Sequence, residues 1–302
     1  MHIARKDSQQ NERSKKVILV IGATGTIGRE VVKGLRAKGE QVRAMIHDPE
    51  KATAAREPDV EYVTGDLEKP ESVIAALQGI EKAFLLSPEN PQMPELHAKF
   101  AAAAKDAGLR HLVRLSILPA NPDAPLPLVK WHGEADRSVM ESGVPYTILR
   151  PAYFMQNNLG GAATIASNGA IYSAMGDGKI GHIDTRDIAD VAVAVLTSEG
   201  HEGQSYLLTG PEALSMAEVA ARLSTALGKT IEYVNLPPDE VKARLMAAGT
   251  LDWRADAWVK LAGMISMGIA AMVTPAVKDV LGREPRSIDQ FAKDFAPELK
   301  GG

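Results

Sequence analysis

The sequence predicts an α/β fold: a doubly wound parallel sheet covered by helices, with a smaller, mostly helical C-terminal lobe. Three observations carry that reading. Short β-branched runs alternate with helical stretches through the first half. Those runs are nearly continuous in apolar residues, as strands buried on both faces must be. The first run also passes through three evenly spaced glycines directly into a helix.

In chain order, strands are predicted at 17–21, 42–46, 60–64, 83–86, 111–116 and 145–149. Helices are predicted between them at 29–38, 71–77, 95–106 and roughly 130–141. After Arg150 the order loosens. A helix over 187–197, a strand at 205–209, a helix over 216–227 and a strand at 231–235 follow. The stretch 241–281 reads as mostly helical. The polar residues 1–16 have no apolar face to bury and read as a disordered tail, with no secretory signal. This divides the chain into the tail 1–16, a core 17–150, and a segment 151–302 that completes the core and forms a substrate lobe.

Composition narrows the function. Net charge is −4 and no dense basic tract occurs, so nucleic-acid binding through phosphates is not expected. With no cysteine, disulfides, thiolate metal sites and cysteine nucleophiles are excluded. No H-E-x-x-H or similar ligand spacing is present, so no metal is expected. No G-x-S-x-G elbow marks a nucleophile, and the missing G-x-x-x-x-G-K-[ST] loop disfavours a nucleotide triphosphatase. The uncharged stretch LAGMISMGIAAMVTPA, 261–276, is too short for a comfortable membrane span and is expected to be a buried helix. A soluble, cytoplasmic protein is expected.

The stretch VILVIGATGTIGREVV holds the most specific chemistry. Gly22 permits the tight turn, Gly25 lets a pyrophosphate approach the backbone, and Gly28 lets helix and strand pack closely. Thr24, Thr26 and Ile27 complete the loop, and the helix start offers free N–H groups to phosphate. A dinucleotide on a Rossmann-type sheet is the reading that follows. The spacing G-x-x-G-x-x-G is the short-chain dehydrogenase form.

Together with VRAMIHDPEKA, VTGDL, SGVPYTILRPAYFMQNN, HIDTRDIADVA and YLLTGPEALS, the loop resembles the NmrA-like branch of atypical short-chain dehydrogenases, from about Val17 to Phe295. That branch includes type-2 NAD(P)H:quinone reductases, triphenylmethane dye reductases and dinucleotide-binding regulators. The Tyr-x-x-x-Lys pair of most short-chain reductases is replaced here by Leu128 and His132. In the quinone reductases this region reads like H-x-E-x-E before S-G, and HGEAD before MESG places His132, Glu134 and Asp136 on those positions.

The resemblance implies further site residues. No acid ends the second strand to bind ribose hydroxyls, and His47 stands where many NADPH-using relatives carry Arg. Lys51 matches a lysine near the 2′-phosphate, so NADP(H) is favoured over NAD(H). Asp48-Pro49 also suits an ordinary helix start. Asp66 and Leu67 end the third strand, where Asp66 either meets the adenine or caps a turn. Ser87 and Ser116 lie at the carboxyl edge where the nicotinamide should sit, or are turn serines. Phe154, Gln156 and Asn157 match a segment at the substrate pocket mouth. His132 is either a structural histidine or the catalytic candidate, orienting or hydrogen-bonding the substrate. Asp184 and Asp187 suit a helix cap rather than a catalytic pair, and Met264, Met267 and Met272 are core-filling or pocket-lining.

The expected activity is hydride transfer from NAD(P)H to a conjugated small-molecule acceptor, quinone- or dye-like, without a Tyr-Lys acid. The alternative is a non-catalytic NAD(P)-binding redox sensor acting through protein partners. The sequence does not specify the oligomeric state.

Overall fold

Nine strands occur among the described residues: β1 (Val17–Ile21), β2 (Gln41–Ile46), β3 (Val60–Thr64), β4 (Ile80–Leu85), β5 (His111–Leu115), β6 (Tyr146–Pro151), β7 (Ala170–Ser173), β8 (Gln204–Leu208) and β9 (Glu232–Asn235). The computed structural model describes residues 17–50 and 57–301. The tail 1–16 and Lys51 lie outside the described residues.

Seven strands form one sheet in the order β3-β2-β1-β4-β5-β6-β8, every pair parallel. The order reverses between β1 and β4, which opens a crevice at their carboxyl ends. Helix α1 (Thr26–Ala37) packs one face of the sheet, sharing a core of Val31, Leu35, Val191 and Val195. On the other face, Phe100, Ala104, Leu112 and Val139 form the matching layer. Helices α2 (Pro70–Leu77), α3 (Met93–Asp106) and α4 (Pro127–Glu141) begin with Pro in their first turn, where its missing N–H costs nothing.

Beyond β6 come α5 (Ala162–Asn168), α6 (Thr185–Thr197) and α7 (Met216–Leu227). Asp184 caps α6, its side chain accepting from the Arg186 N–H, and Ser215 with Glu218 forms a capping box on α7. The buried Asp187 pairs with Arg283 and Arg286, so neither acid is free for chemistry. A parallel pair, β7 with β9, builds a second small sheet over its own apolar core. The sequence reading missed β7 because AIYS is only four residues long and carries no alternation.

Residues 261–276 correct the expectation of one buried helix. Helix α8 (Pro238–Ala247) is followed by α9 (Asp252–Ser266), which stops where Gly268 turns left-handed at φ +83. Residues 267–275 then run without helical structure to α10 (Ala276–Leu281), leaving Met267 74% and Ile269 59% exposed. Among the described residues no helix is long and apolar enough to cross a membrane.

Candidate active site

The glycine loop separates into two kinds of glycine. A Cβ on Gly22 would sit 2.6 Å from the Leu86 carbonyl oxygen, and its φ of +78 disfavours any side chain. On Gly28 a Cβ would lie 2.1 Å from the Gly22 oxygen, so this glycine lets α1 press against the loop after β1. Gly25 differs. Its φ of −78 suits any residue, and a Cβ there would meet only the Gly22 oxygen at an ordinary 3.4 Å. Among the described residues nothing requires Gly25 to lack a side chain, while a ligand approaching the backbone would. Thr24, Gly25 and Thr26 are exposed, no side chain caps α1, and its first turn carries no acid. The free N–H groups and partial positive charge of that helix start therefore face outward, a cradle suited to pyrophosphate. Ile27 points into the core instead.

At the edge of the crevice, His47 follows β2 with its side chain 78% exposed, and its Nδ1 lies 3.8 Å from Asp66 Oδ2. Asp66 also accepts from the Glu68 N–H through Oδ1 at 2.9 Å, a local turn contact that leaves Oδ2 turned toward His47. Leu67 packs partly against the core below. Asp48 caps its own short turn, accepting from the Glu50 N–H at 3.0 Å.

A buried polar network lies beneath the carboxyl ends of β4 to β6. Arg114 sits wholly buried in β5, and its guanidinium meets Asp136 of α4. Asp136 also accepts from Ser116 Oγ and from Arg150 Nε, each at 2.9 Å. Arg114 Nε donates to His97 Nδ1 at 2.9 Å, which leaves the His97 proton on Nε2, facing Ser87 Oγ at 2.8 Å. Burial and then the Arg114 charge hold His97 well below its ordinary pKa, so the ring is neutral. Burial pulls Arg114 down to about 10, offset in part by Asp136. Two arginines on one carboxylate leave the network cationic at neutral pH.

His132 joins this network from α4. Arginine has no acceptor, so the contact from Arg114 to His132 Nδ1 at 3.4 Å requires Nδ1 to accept. The neutral ring then carries its proton on Nε2. That nitrogen is buried without a hydrogen-bond partner and lies 3.9 Å from Glu89 Oε1. Burial lowers the His132 pKa, while Glu89 pushes it back up.

Above the network is a cavity of about 230 Å³. Ile117, Leu118 and Pro119 after β5 and Pro151 to Phe154 at the end of β6 form its floor. Trp258, Leu261, Met264, Ile269 and Met272 form its roof. Leu128 lines this cavity. The position where most short-chain reductases carry their acid thus presents an aliphatic wall. Polar groups on the wall come from Glu89, Tyr153 and Asn157. Burial pushes the Tyr153 phenol up to about 12, so it stays protonated and can donate a hydrogen bond but is a weak acid.

The structure brings Phe154 and Asn157 to the cavity but turns Gln156 away. Gln156 accepts from the Thr185 N–H at 3.0 Å and donates to Asp184 at 2.8 Å, binding the start of α6. The Ser116 hydroxyl points into the network, and His132 lies behind the cavity wall rather than on it. Glu89, His97, Arg114, Arg150 and Tyr153 escaped the sequence reading. Only Arg114 carried a signal, because a cation inside an otherwise apolar parallel strand demands a buried anion.

The sequence matches the family described as NAD(P)H-binding over residues 22–199, from the first loop glycine to the end of α6. The chain belongs to this family. It is 40% identical over 280 residues to the NAD(P)H azoreductase of Xenophilus azovorans, across 93% of this chain and 98% of that protein. Quinone oxidoreductase 2 of Escherichia coli is 33% identical over 243 residues, 80% of this chain and 85% of that one. Among solved structures, the triphenylmethane reductase of Citrobacter sp. superposes with a TM-score of 0.84 at 27% identity, covering 93% of this chain and 99% of that one. The match therefore spans the C-terminal lobe as well as the dinucleotide-binding core.

Proposed function

We propose that this protein is an NAD(P)H-dependent reductase that passes hydride to flat, conjugated acceptors of the quinone or dye type, with NADPH preferred over NADH. The observation that carries this reading is the cavity itself: a largely apolar slot past the carboxyl ends of β4 to β6, with Leu128 where an acid would protonate a ketone oxygen. A bound reduced nicotinamide supplies the hydride. Gly25 and the start of α1 hold the pyrophosphate, and His47 stands where a 2′-phosphate would end. The aliphatic and aromatic walls hold a planar acceptor and exclude water, which is positioning rather than acid catalysis.

The missing acid restricts the chemistry. A simple ketone becomes an alkoxide on hydride transfer and needs a donor as it forms. A quinone yields a phenolate-like oxygen whose conjugate acid has a pKa of about 10 by analogy with tyrosine. A triarylmethane cation accepts hydride at carbon and needs no proton. The test is NADPH oxidation followed at its near-ultraviolet absorbance with a quinone, a cationic dye and an unactivated ketone. Turnover of the first two, no turnover of the ketone, and less than about tenfold loss in His132→Ala are expected. Fast ketone reduction abolished by His132→Ala would make His132 the acid and refute the reading.

A further inference from the structure

Among the described residues the cavity wall carries a single carboxylate. Glu89 follows β4 on the loop 86–92 and lines a largely apolar cavity whose other polar side chains, Tyr153, Asn157 and the indole of Trp258, are neutral. Its two oxygens face two different donors without closing on either. Oε1 is 3.9 Å from His132 Nε2, and Oε2 is 3.9 Å from an Arg254 guanidinium nitrogen. Both separations exceed hydrogen-bond range. Among the described residues His132 Nε2 is buried without a hydrogen-bond partner, whereas the Arg254 nitrogen nearest Oε2 donates to the Glu89 backbone carbonyl at 3.4 Å. The His132 tautomer imposed by Arg114 points an N–H at the carboxylate and never a lone pair. Arg254 stacks its guanidinium over Trp253, 5.2 Å from the ring centre, and stands 38% exposed at the rim, where solvent screens it.

We propose that Glu89 sorts acceptors by charge, favouring conjugated cations, and that His132 positions it for that task. This deepens the reductase reading and rests on it. Glu89 is itself 32% exposed, so solvent screens part of its pull. A negative charge facing low-dielectric walls still attracts a cation more strongly than the same charge in water. The attraction also changes during turnover. The C4–H bond of the reduced nicotinamide breaks, its electron pair forms a C–H bond at the cationic carbon of the acceptor, and no proton moves. The acceptor enters positive and leaves neutral. Glu89 therefore holds the substrate and loses its hold on the product, so the same carboxylate that aids capture does not retard release. A neutral quinone gains nothing from this arrangement.

Glu89→Gln keeps the side-chain volume and removes the charge. With a cationic triarylmethane dye, KM is expected to rise about tenfold with kcat changed less than twofold. KM for a neutral quinone and for NADPH should move less than about twofold. Arg254→Gln should shift the dye KM in the opposite direction, because it removes a competing cation. High salt should raise the dye KM in the parent and not in Glu89→Gln. Parallel losses for dye, quinone and NADPH would place Glu89 in cofactor binding or structure and overturn the proposal, as would no change for the dye. Titrating the dye onto the protein in the absence of nicotinamide, by its visible absorbance, reads the same charge preference without turnover. A parent protein that binds the dye through Glu89 yet reduces neither acceptor would refute the reductase reading and leave the charge preference standing.

Discussion

The two unlike glycines of the phosphate loop allow binding and packing to be perturbed separately. Gly28→Ala places a Cβ 2.1 Å from the Gly22 oxygen, 2.7 Å from the Gly22 carbonyl carbon and 3.0 Å from the Ala23 Cα. All three are backbone atoms, so α1 must move away from the β1 end. Overpacking of this kind costs about 1–3 kcal/mol, which for a chain of this size lowers Tm by roughly 2–10 °C. Gly25→Ala meets nothing closer than 3.4 Å, and its backbone already sits at φ −78 and ψ 170. The entropy gained by leaving glycine, about 0.4–1 kcal/mol, offsets the poorer helix cap, about 0.5–1 kcal/mol. Its Tm should stay within about 2 °C of the parent. The new methyl nevertheless stands where a pyrophosphate would meet the loop N–H groups. Losing one charge-assisted hydrogen bond costs about 1.5–3 kcal/mol, a rise in Kd of roughly 10- to 100-fold. The rise should be equal for NADPH and NADH, which share the pyrophosphate. Thermal melts and titrations by nicotinamide fluorescence measure both quantities. Unchanged affinity in Gly25→Ala, or an affinity loss matched by a Tm loss as large as that of Gly28→Ala, would make the loop a turn and nothing more.

Two further outcomes are expected. NADPH should bind more tightly than NADH, and His47→Arg should widen the ratio by about tenfold through a bidentate 2′-phosphate contact; the same titrations check it, and equal affinities that ignore the substitution contradict it. Stability should fall between pH 7 and 5. Burial holds His97, His111, His132 and His182 below the ordinary histidine value, His111 and His182 at about 4. A group whose folded pKa is depressed takes up its proton on unfolding. Its contribution is therefore full above the unfolded pKa of about 6.5 and is lost as pH drops toward the folded value, by up to about 1.4 kcal/mol per pH unit for each group. Urea midpoints at pH 7, 6 and 5 measure the slope, and a flat or rising profile contradicts it.

Much of the frame was legible because its signals are local. A tight turn after a buried strand, the β-branched run 17–21 and the Asp184 cap each declare themselves within a few residues. The polar network under the cavity does not, because its partners come from elements far apart in sequence. Arg114 and Asp136 are 22 residues apart, and Arg150 arrives from the next strand. Ser116 was legible as a strand-end serine but not as a donor to Asp136, and Gln156 was legible as a segment but not as a partner of the α6 start. The direction a side chain takes depends on who else is buried beside it. The lobe was hardest for a related reason. Residues 267–275 carry the composition of a buried helix, and only the left-handed Gly268 with the cavity below explains why they run as an apolar loop.

The roof over the cavity comes from one contiguous piece of chain, from Trp258 to Met272, while the floor is the end of the sheet. The matched NAD(P)H-binding segment ends at residue 199, so this roof lies wholly beyond it. Thr274 fastens the far end of the roof to the sheet, its N–H donating to Thr209 Oγ1 at 2.9 Å and its hydroxyl to the Leu207 carbonyl. The roof and the glycine loop are thus separate stretches of chain, while Glu89 and Leu128 reach the cavity from the sheet side. Substitutions among the fifteen or so residues of the roof reshape one wall of the cavity without touching the glycine loop or the buried arginine network. Laboratory libraries confined to this stretch can therefore vary the acceptor wall while the cofactor side stays as it is.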